Sequence, residues 1–245
     1  MTVNPDPGAG TPAPRNDRKV LIQVLVAVGL VAVIAAVGLV LVLRESGATD
    51  TVVAGQALPV LPRNVGADGA LRVGPEDSKV VVRLVADLQC PACQAFEKIH
   101  GTVLEQTVAK GEAAVEYSII SFLDRASTDQ YSSRAGNAAY CIADSGTGDY
   151  QKWLATMFDR QPREGGAGLA DSALIEIARS AGYQDAAVAQ CITERTYDSY
   201  LRQKTQEILA GGVNSTPTVL INGAKVANSA LATPDGLAAA ITAAP

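Results

Sequence analysis

The chain has 245 residues, 48% of them hydrophobic, so it can form one sizeable domain with an appended segment. Its formal charge at pH 7 is −5, which gives no electrostatic reason to expect nucleic-acid binding. His100 is the only histidine. Histidine-rich metal sites are therefore nearly excluded, as is Ser-His-Asp or Cys-His catalysis that does not use this residue.

An apolar run at residues 20–43 predicts one transmembrane helix. Gln23 is its only strongly polar residue, and at about 1.5 Å per residue the run would cross a bilayer core of about 30 Å with some tilt. The apolar part of a cleaved signal peptide usually has only about 7–15 residues, so we favour an uncleaved signal anchor. Arg15, Arg18 and Lys19 precede the run and only Arg44 closely follows it. This excess of basic residues predicts a cytoplasmic N-terminus and an exported remainder.

Composition divides the rest of the chain. Residues 1–19 are rich in Pro, Gly, Thr and Asn, which predicts a disordered cytoplasmic tail. Residues 44–67 contain Gly and Pro with little periodicity, which is typical of a tether, here extracytoplasmic. We expect an α/β domain formed by residues 68–128 and 211–245, with a helical subdomain at 129–210 inserted between its two halves.

Strand and helix patterns alternate in the first half of this domain. Strands are predicted at residues 70–73 and 79–86, a helix at 90–110 and a strand at 113–122. This order indicates a βαβ unit with parallel strands. Further helices are predicted at residues 129–144, 150–160, 171–181 and 185–210. A strand at 218–222, a hairpin turn at Asn222-Gly223, a strand at 224–226 and a helix at 237–243 follow.

The motif Cys90-Pro91-Ala92-Cys93 lies where a predicted strand gives way to a helix. The first turn of a helix has unpaired N–H groups and a partial positive charge. Both can lower the pKa of a thiol from about 8.5 into the range of about 3.5–7.5, and the thiolate is the form that attacks disulfides. We expect Cys90 to be the exposed nucleophile, and Cys93, one turn inside, to be the shielded thiol that resolves the mixed disulfide.

Three other interpretations of this motif fit the sequence less well. A structural disulfide between Cys90 and Cys93 would close almost no loop and would stabilise little. Half of a zinc site would need a second pair with matching spacing, which the sequence lacks. A copper relay would need a second cluster of soft ligands, yet Met1 and Met157 are the only methionines. A redox-active pair is favoured over all three.

A second landmark is the stretch at residues 212–219, in which Pro217 directly precedes a strand pattern. Proline is permitted as the first residue of a strand. A cis bond between Thr216 and Pro217 would expose backbone groups of Thr216. Those groups could hydrogen-bond an extended substrate beside the cysteine pair, as in β-augmentation.

Taken together, these motifs are similar to the DsbA-like branch of the thioredoxin superfamily, above all to the membrane-anchored DsbA-like proteins of mycobacteria and related actinobacteria. The similar residues are 87–93, Phe96-Glu97, the helical insertion and residues 212–223. The resemblance implies an α/β thioredoxin-like fold with an inserted helical subdomain, preceded here by one transmembrane helix. It also implies that Cys90 is the nucleophile, Cys93 the resolving thiol and Pro217 the cis-proline beside them.

The resemblance further implies oxidation of exported proteins that carry free thiols, and reoxidation by a membrane partner similar to the vitamin K epoxide reductase family.

Two residues depart from the family pattern: Ala92 stands where enterobacterial relatives have histidine, and Leu84 where many relatives bury an acid. That histidine helps to stabilise the thiolate, so its absence predicts a Cys90 less acidic, and a protein less oxidising, than in those relatives. Glu97 matches an acidic position of the family helix and could relay protons to Cys93; a solvated helix face is the alternative.

The remaining cysteines, Cys141 and Cys191, fall on predicted helices of the insertion. In an exported domain we expect them to form a structural disulfide, the alternative being two buried free thiols. We expect His100 to be a partly exposed helix residue, and Trp153 and Met157, four residues apart on one helix, to be core contacts.

Three functions are consistent with these patterns: an oxidase that donates its disulfide to exported proteins, a reductase or isomerase with the same site, and a copper-handling module without enzymatic activity. No cofactor and no metal is predicted for the first two. The first two differ in reduction potential, which sequence does not give.

Overall fold

A computed structural model describes residues 60–245. Five strands in this part of the chain form one mixed sheet with the order β1-β3-β2-β4-β5. The strands are β1 (Leu71–Val73), β2 (Val81–Ala86), β3 (Ala114–Ile119), β4 (Thr218–Ile221) and β5 (Ala224–Lys225). β2 and β3 are parallel, as the predicted βαβ unit requires, and the other neighbouring pairs are antiparallel.

Seven α-helices and one 3-10 helix (Asp124–Ala126) accompany the sheet within residues 60–245. The α-helices are α1 (Pro91–Ala109), α2 (Tyr131–Ser145), α3 (Tyr150–Asp159), α4 (Asp171–Ala181), α5 (Ala186–Glu194), α6 (Asp198–Ala210) and α7 (Pro234–Thr242). α1 connects the parallel strands β2 and β3, and helices α2 to α6 lie between β3 and β4 in the chain. The result is a mixed α/β thioredoxin-like fold with a helical insertion.

The sheet brings three segments to one of its ends. β2 and β3 both finish there because they are parallel, and β4 begins there because it is antiparallel to β2. The register fixes this meeting point, since Val85 of β2 lies opposite Ser118 of β3 and Thr218 of β4. The residues that follow β2 and precede β4 are therefore neighbours although they are far apart in sequence.

The inserted helices pack around α2, whose residues from Tyr131 to Ala143 are all buried. Small side chains permit this close packing: a Cβ on Gly136 would lie 2.7 Å from a methyl carbon of Leu201 on α6. Trp153 and Met157 are fully buried, as predicted. The buried face of α4 consists of Leu174, Ile177, Ala178 and Ala181, at the spacing of one helical stripe.

The structure corrects the prediction of a single helix at residues 185–210. The segment forms α5 and α6, which are separated at Arg195, a residue with a left-handed φ of 54°. The break allows the backbone N–H of Tyr197 to donate to the side-chain oxygen of Asn137 at 2.8 Å. Because Asn137 is fully buried on α2, this tertiary hydrogen bond competes successfully with continued helix.

His100 was predicted to be partly exposed, and that prediction is wrong. Its side chain is 0% exposed and its ring lies 4.7 Å from that of Phe96. The Nε2 atom is 3.0 Å from the carbonyl oxygen of Leu231, in the loop before α7. α7 packs on α1 at this position, which covers a helix face that the sequence alone leaves open.

Cys141 and Cys191 are joined by a disulfide, with their Cα atoms 5.9 Å apart. The bond connects α2 to α5 within the helical insertion. The predicted anchor at residues 20–43, the tail before it and the tether up to residue 59 lie outside the described residues. Within residues 60–245, no helix has the length and apolar character needed to cross a membrane.

Candidate active site

The two cysteines of the motif are free and lie at the start of α1. Cys90 is the last residue before the helix, and its carbonyl accepts the backbone N–H groups of Cys93 at 3.0 Å and Gln94 at 3.1 Å. Pro91 occupies the first turn, where its missing N–H costs no hydrogen bond. Strand β2 thus delivers Cys90 to the positive end of the longest helix among the described residues.

Cys90 is less exposed than predicted, although the order of the two thiols holds. Its exposed fraction is 7%, against 1% for Cys93. The backbone of Thr216 covers part of the sulfur, because the Thr216 carbonyl oxygen lies 3.5 Å from Cys90 Sγ and accepts a hydrogen bond from the thiol. A substrate thiol therefore has to approach Cys90 along the side that Thr216 leaves open.

The two thiols differ strongly in acidity. A hydrogen bond from the Cys93 side chain lowers the pKa of Cys90 to about 5, with help from the backbone N–H groups of Ala92 and Cys93 and against the effect of burial. Burial raises the pKa of Cys93 well above its usual value, and the neighbouring Cys90 adds to this. Cys90 is thus a thiolate at neutral pH while Cys93 holds its proton.

The bond between Thr216 and Pro217 is cis. Both residues are half-buried and lead into β4, whose Thr218 lies opposite Val85 of β2. The structure therefore brings Thr216 and Pro217 to the Cys90 side of the sheet, across 126 residues of sequence from Cys90 to Thr216.

Glu97 lies on α1 one turn beyond Cys93 and is partly buried. Its Oε2 atom is buried without a hydrogen-bond partner among the described residues. Gly101 makes room for the carboxyl group, since a Cβ there would lie 2.6 Å from Glu97 Oε1. Burial raises the pKa of Glu97 to about 7, and the charge of Glu105 contributes to the same shift. A solvated helix face would not have these properties.

Asp87 is a fully buried acid whose role the sequence alone does not predict. Its carboxylate accepts hydrogen bonds from the backbone N–H groups of Gln89 and Leu123 and from the hydroxyl of Ser132, each at 2.8 Å. The sequence offered one signal, an Asp directly after a buried strand and before a turn, where its side chain can bond the backbone two residues on. Leu84, in contrast, is an apolar core residue of β2.

Gln161 is a second site residue that the sequence does not predict. Its side-chain amide donates to the carbonyl of Leu88 at 3.0 Å and to that of Cys90 at 3.1 Å. It stands just beyond α3, so the helical insertion holds the active-site turn from a second side. No sequence pattern links Gln161 to Cys90, 71 residues before it.

The described residues contain no group of three or more His, Cys, Asp and Glu side chains that could hold a metal ion. Cys141 and Cys191 are bonded to each other and contribute no thiol to this site. What the geometry offers is a reactive thiolate, a protonated thiol beside it, a buried carboxyl one turn away and a half-buried backbone segment at Thr216. This set of groups is suited to thiol–disulfide exchange.

Comparison with solved structures finds similar folds. The structure of reduced DsbA from Mycobacterium tuberculosis is 34% identical, with 71% of this chain and 90% of that chain covered and a TM-score of 0.62. The reduced form of the disulfide bond oxidoreductase DsbG from the same organism is also 34% identical, with 73% and 88% covered and a TM-score of 0.64. MdbA, a thiol–disulfide oxidoreductase from Actinomyces oris, shares the fold with 18% identity, 74% and 90% coverage and a TM-score of 0.63.

Among curated proteins, the serine/threonine-protein kinase PknE of Mycobacterium tuberculosis is 31% identical over 127 residues, which is 49% of this chain. The chain spans only 22% of the length of that kinase. A family model described as thioredoxin matches residues 67–243. The chain therefore belongs to the thioredoxin family, as a DsbA-like thiol–disulfide oxidoreductase.

Proposed function

We propose that the chain is an extracytoplasmic oxidase that introduces disulfides into exported proteins through Cys90 and Cys93. The observation that carries the proposal is the unequal acidity of the two thiols, with the pKa of Cys90 at about 5 and that of Cys93 raised by burial. A stabilised thiolate favours the reduced pair, so the oxidised pair readily gives its disulfide to a substrate. At pH 7 the ratio of thiolate to thiol at Cys90 is about 100 to 1. This corresponds to about 2.7 kcal/mol, or about 60 mV for two electrons.

The exchange takes two steps. A substrate thiolate attacks Sγ of Cys90 in the oxidised pair, so that a mixed disulfide forms, the bond between Cys90 and Cys93 breaks, and the Cys93 sulfur leaves with the electron pair. A second substrate thiolate then attacks the substrate sulfur of the mixed disulfide, and Cys90 leaves as a thiolate. The substrate gains one disulfide and the cysteine pair gains two electrons. Cys90 leaves readily because a thiol of lower pKa is the better leaving group.

Glu97 supplies the proton that Cys93 needs in the first step. Cys93 is released as a thiolate in a buried position, where its raised pKa makes the charged form unfavourable. Glu97, one turn along α1, has a pKa of about 7 and an unpaired oxygen, so it is partly protonated near neutral pH and can give or take a proton. In the reverse reaction it takes the proton from Cys93 before that thiol attacks.

The site acts outside the cytoplasm, on a chain anchored by residues 20–43 with its N-terminus in the cytoplasm. The apolar run and the basic residues before it support this location. The reduced pair returns its two electrons to a membrane partner similar to the vitamin K epoxide reductase family, and exported proteins with free thiols are the substrates. The resemblance to anchored actinobacterial DsbA-like proteins supports both partners.

The deciding experiment is the reduction potential of the Cys90–Cys93 pair, measured against glutathione at pH 7. A potential above about −180 mV, the value for protein disulfide isomerase, is expected for an oxidase. A potential near about −270 mV, as in thioredoxin, would overturn the oxidase proposal in favour of a reductase. Anchoring is tested separately, by asking whether the protein stays with the membrane fraction under alkaline extraction when residues 20–43 are present and is released when they are deleted.

Trapping variants test the roles of the two cysteines. Cys93→Ala is expected to accumulate mixed disulfides with substrate proteins that already hold a disulfide, because the Cys90 thiolate can still attack that disulfide while the Cys93 thiol that would then release the substrate is gone. Cys90→Ala is expected to accumulate none. Equal trapping by the two variants would refute the assignment of Cys90 as nucleophile. The double variant Cys141→Ala with Cys191→Ala provides the control, since it should leave trapping by Cys93→Ala unchanged.

A further inference from the structure

A buried acid stands beside the nucleophile without a cation to neutralise it. Asp87 directly follows β2 and is 0% exposed. Within residues 60–245 no Lys or Arg forms an ion pair with it; its partners are three neutral donors, on Gln89, Leu123 and Ser132. An acid that is buried without a counter-ion costs folding free energy, and at this position only the three hydrogen bonds offset that cost.

The acid cannot move away from the nucleophile. The backbone N–H of Cys90 donates to the backbone carbonyl of Asp87 at 3.0 Å, which closes a turn over residues 87–90. The carboxylate of Asp87 accepts the N–H of Gln89 inside the same turn. The bonds to Leu123 and Ser132 attach the turn to the loop after β3 and to α2. Distance and direction between the carboxylate and Cys90 are therefore fixed by the fold.

The surroundings select a carboxylate rather than an amide. All three groups that face Asp87 are donors, and a carboxylate can accept from all of them. Two of them are backbone N–H groups, whose position does not adapt to the side chain. Gln89 extends the network: its side-chain oxygen lies 3.1 Å from the hydroxyl oxygen of Ser132, whose one hydrogen it shares with Asp87, and its amide donates to the carbonyl of Ala126 at 2.8 Å.

We infer that Asp87 is a positioning residue whose fixed negative charge opposes the Cys90 thiolate and so limits how oxidising the Cys90–Cys93 pair becomes. This inference rests on the proposed role of Cys90 as the nucleophilic thiolate. The two charges coexist only in the reduced enzyme, since Cys90 carries no charge in the disulfide. Repulsion between them therefore destabilises the reduced form alone and lowers the reduction potential. The pKa of Asp87 is raised to about 6 by burial, with a contribution from Cys90 in the same direction, and the acid is still mainly ionised at pH 7.

The sign of the effect separates this role from a merely structural one. Loss of the charge stabilises the Cys90 thiolate, lowers the pKa of Cys90 and raises the potential. Loss of the hydrogen bonds alone would loosen the turn at the helix start, weaken the stabilisation of the thiolate and change both quantities in the opposite direction.

The test compares the full chain with Asp87→Asn and with Asp87→Ser, a smaller neutral replacement that can still accept a hydrogen bond. Both variants are expected to shift the equilibrium with glutathione about tenfold towards the reduced enzyme, which is about 30 mV, and to lower the pKa of Cys90 measured by thiolate absorbance. Asp124→Asn is the matched control. Its carboxylate accepts from Ser133 at the start of α2 and makes no hydrogen bond to residues 87–90 of the described structure, so the equilibrium with glutathione should stay unchanged.

An unchanged or lowered potential in both variants would overturn the inference. Failure of both to give a cooperatively folded protein would also overturn it, because Asp87 would then serve the fold alone. The result is independent of the oxidase proposal, which is decided by the absolute potential of the unaltered chain, whereas the role of Asp87 is decided by the difference between variant and parent. Trapping by Cys93→Ala establishes the nucleophile separately.

Discussion

Removal of the Cys93 thiol should make Cys90 markedly less acidic. The hydrogen bond from Cys93 is the largest of the effects that lower the pKa of Cys90 to about 5. At pH 7 a pKa of about 5 gives about 100 thiolates for each thiol, whereas an unperturbed pKa of about 8.5 gives about one thiolate for each 30 thiols. In Cys93→Ala the backbone N–H groups at the start of α1 remain. We therefore expect an intermediate pKa, between about 6 and 8.5.

The assay is the pH dependence of thiolate absorbance in the ultraviolet, with Cys90→Ala as the blank. The rate of alkylation of Cys90 as a function of pH gives the same pKa independently. Cys93→Ser is the matched variant, because its hydroxyl can still donate a hydrogen bond to the Cys90 sulfur. We expect its Cys90 to keep a pKa close to about 5, or at least well below that of Cys93→Ala.

A pKa of about 5 in Cys93→Ala would refute this reasoning. The acidity of Cys90 would then come from the helix start and its backbone N–H groups alone. Equal increases of the pKa in Cys93→Ala and Cys93→Ser would also contradict it, since the hydrogen bond would not be the cause. Either outcome would leave the trapping experiment valid, because that experiment depends on the position of the thiols and not on their acidity.

The disulfide, the fragment without the predicted anchor and Glu97 each give one further prediction. Replacing Cys141 and Cys191 together by Ala should lower the free energy of unfolding by about 4 kcal/mol on the chain-entropy model for a sequence separation of 50, and an unchanged denaturation midpoint would contradict this. A fragment of residues 44–245 should unfold in one cooperative transition by circular dichroism, because the described residues 60–245 fall within one compact unit; a broad, gradual loss of signal would argue against it. Glu97→Gln should stabilise the protein above pH 7 and slow the resolution of mixed disulfides.

The strands and helices of the α/β part could be predicted from sequence because their signals are local. The continuous apolar run that ends at Ala86 predicted β2, and the cysteine motif predicted the start of α1. The separation of α5 from α6 could not be predicted, because it depends on the hydrogen bond between Tyr197 and Asn137, 60 residues apart. The burial of His100 depends in the same way on the loop before α7.

The same contrast holds for the site. Cys90 and Cys93 were recognisable from their spacing and from the helix start, and Thr216 and Pro217 from a proline at the head of a strand. Asp87 and Gln161 could not be predicted, because their roles depend on hydrogen bonds to residues that are distant in sequence. The donors to Asp87 come partly from Leu123 and Ser132, which reach it only through the order of strands in the sheet and the packing of α2.

The carboxyl group of Glu97, which we propose exchanges a proton with Cys93, lowers the free energy of unfolding at high pH. Its pKa is raised by burial from an ordinary value of 4.5 to about 7, so folding favours the protonated form. The stability associated with this group is therefore complete below about pH 4.5 and is lost as the pH rises through about 7. At pH 8 the folded protein holds a carboxylate whose Oε2 has no partner among the described residues, at a cost of about 3 kcal/mol.

Glu97→Gln removes that charge and should raise the free energy of unfolding at pH 8 by about 1–3 kcal/mol, with little change at pH 4. Gln cannot exchange a proton with Cys93, so the same variant should resolve mixed disulfides more slowly. Urea unfolding at both pH values and single-turnover resolution kinetics measure the two effects, with Glu112→Gln, an exposed acid just after α1, as the control. A variant that is more stable but equally fast would mean that Cys93 obtains its proton from water. A variant that is less stable at pH 8 would mean that the carboxylate of Glu97 is paired in solution, because only a compensated charge contributes stability at that pH.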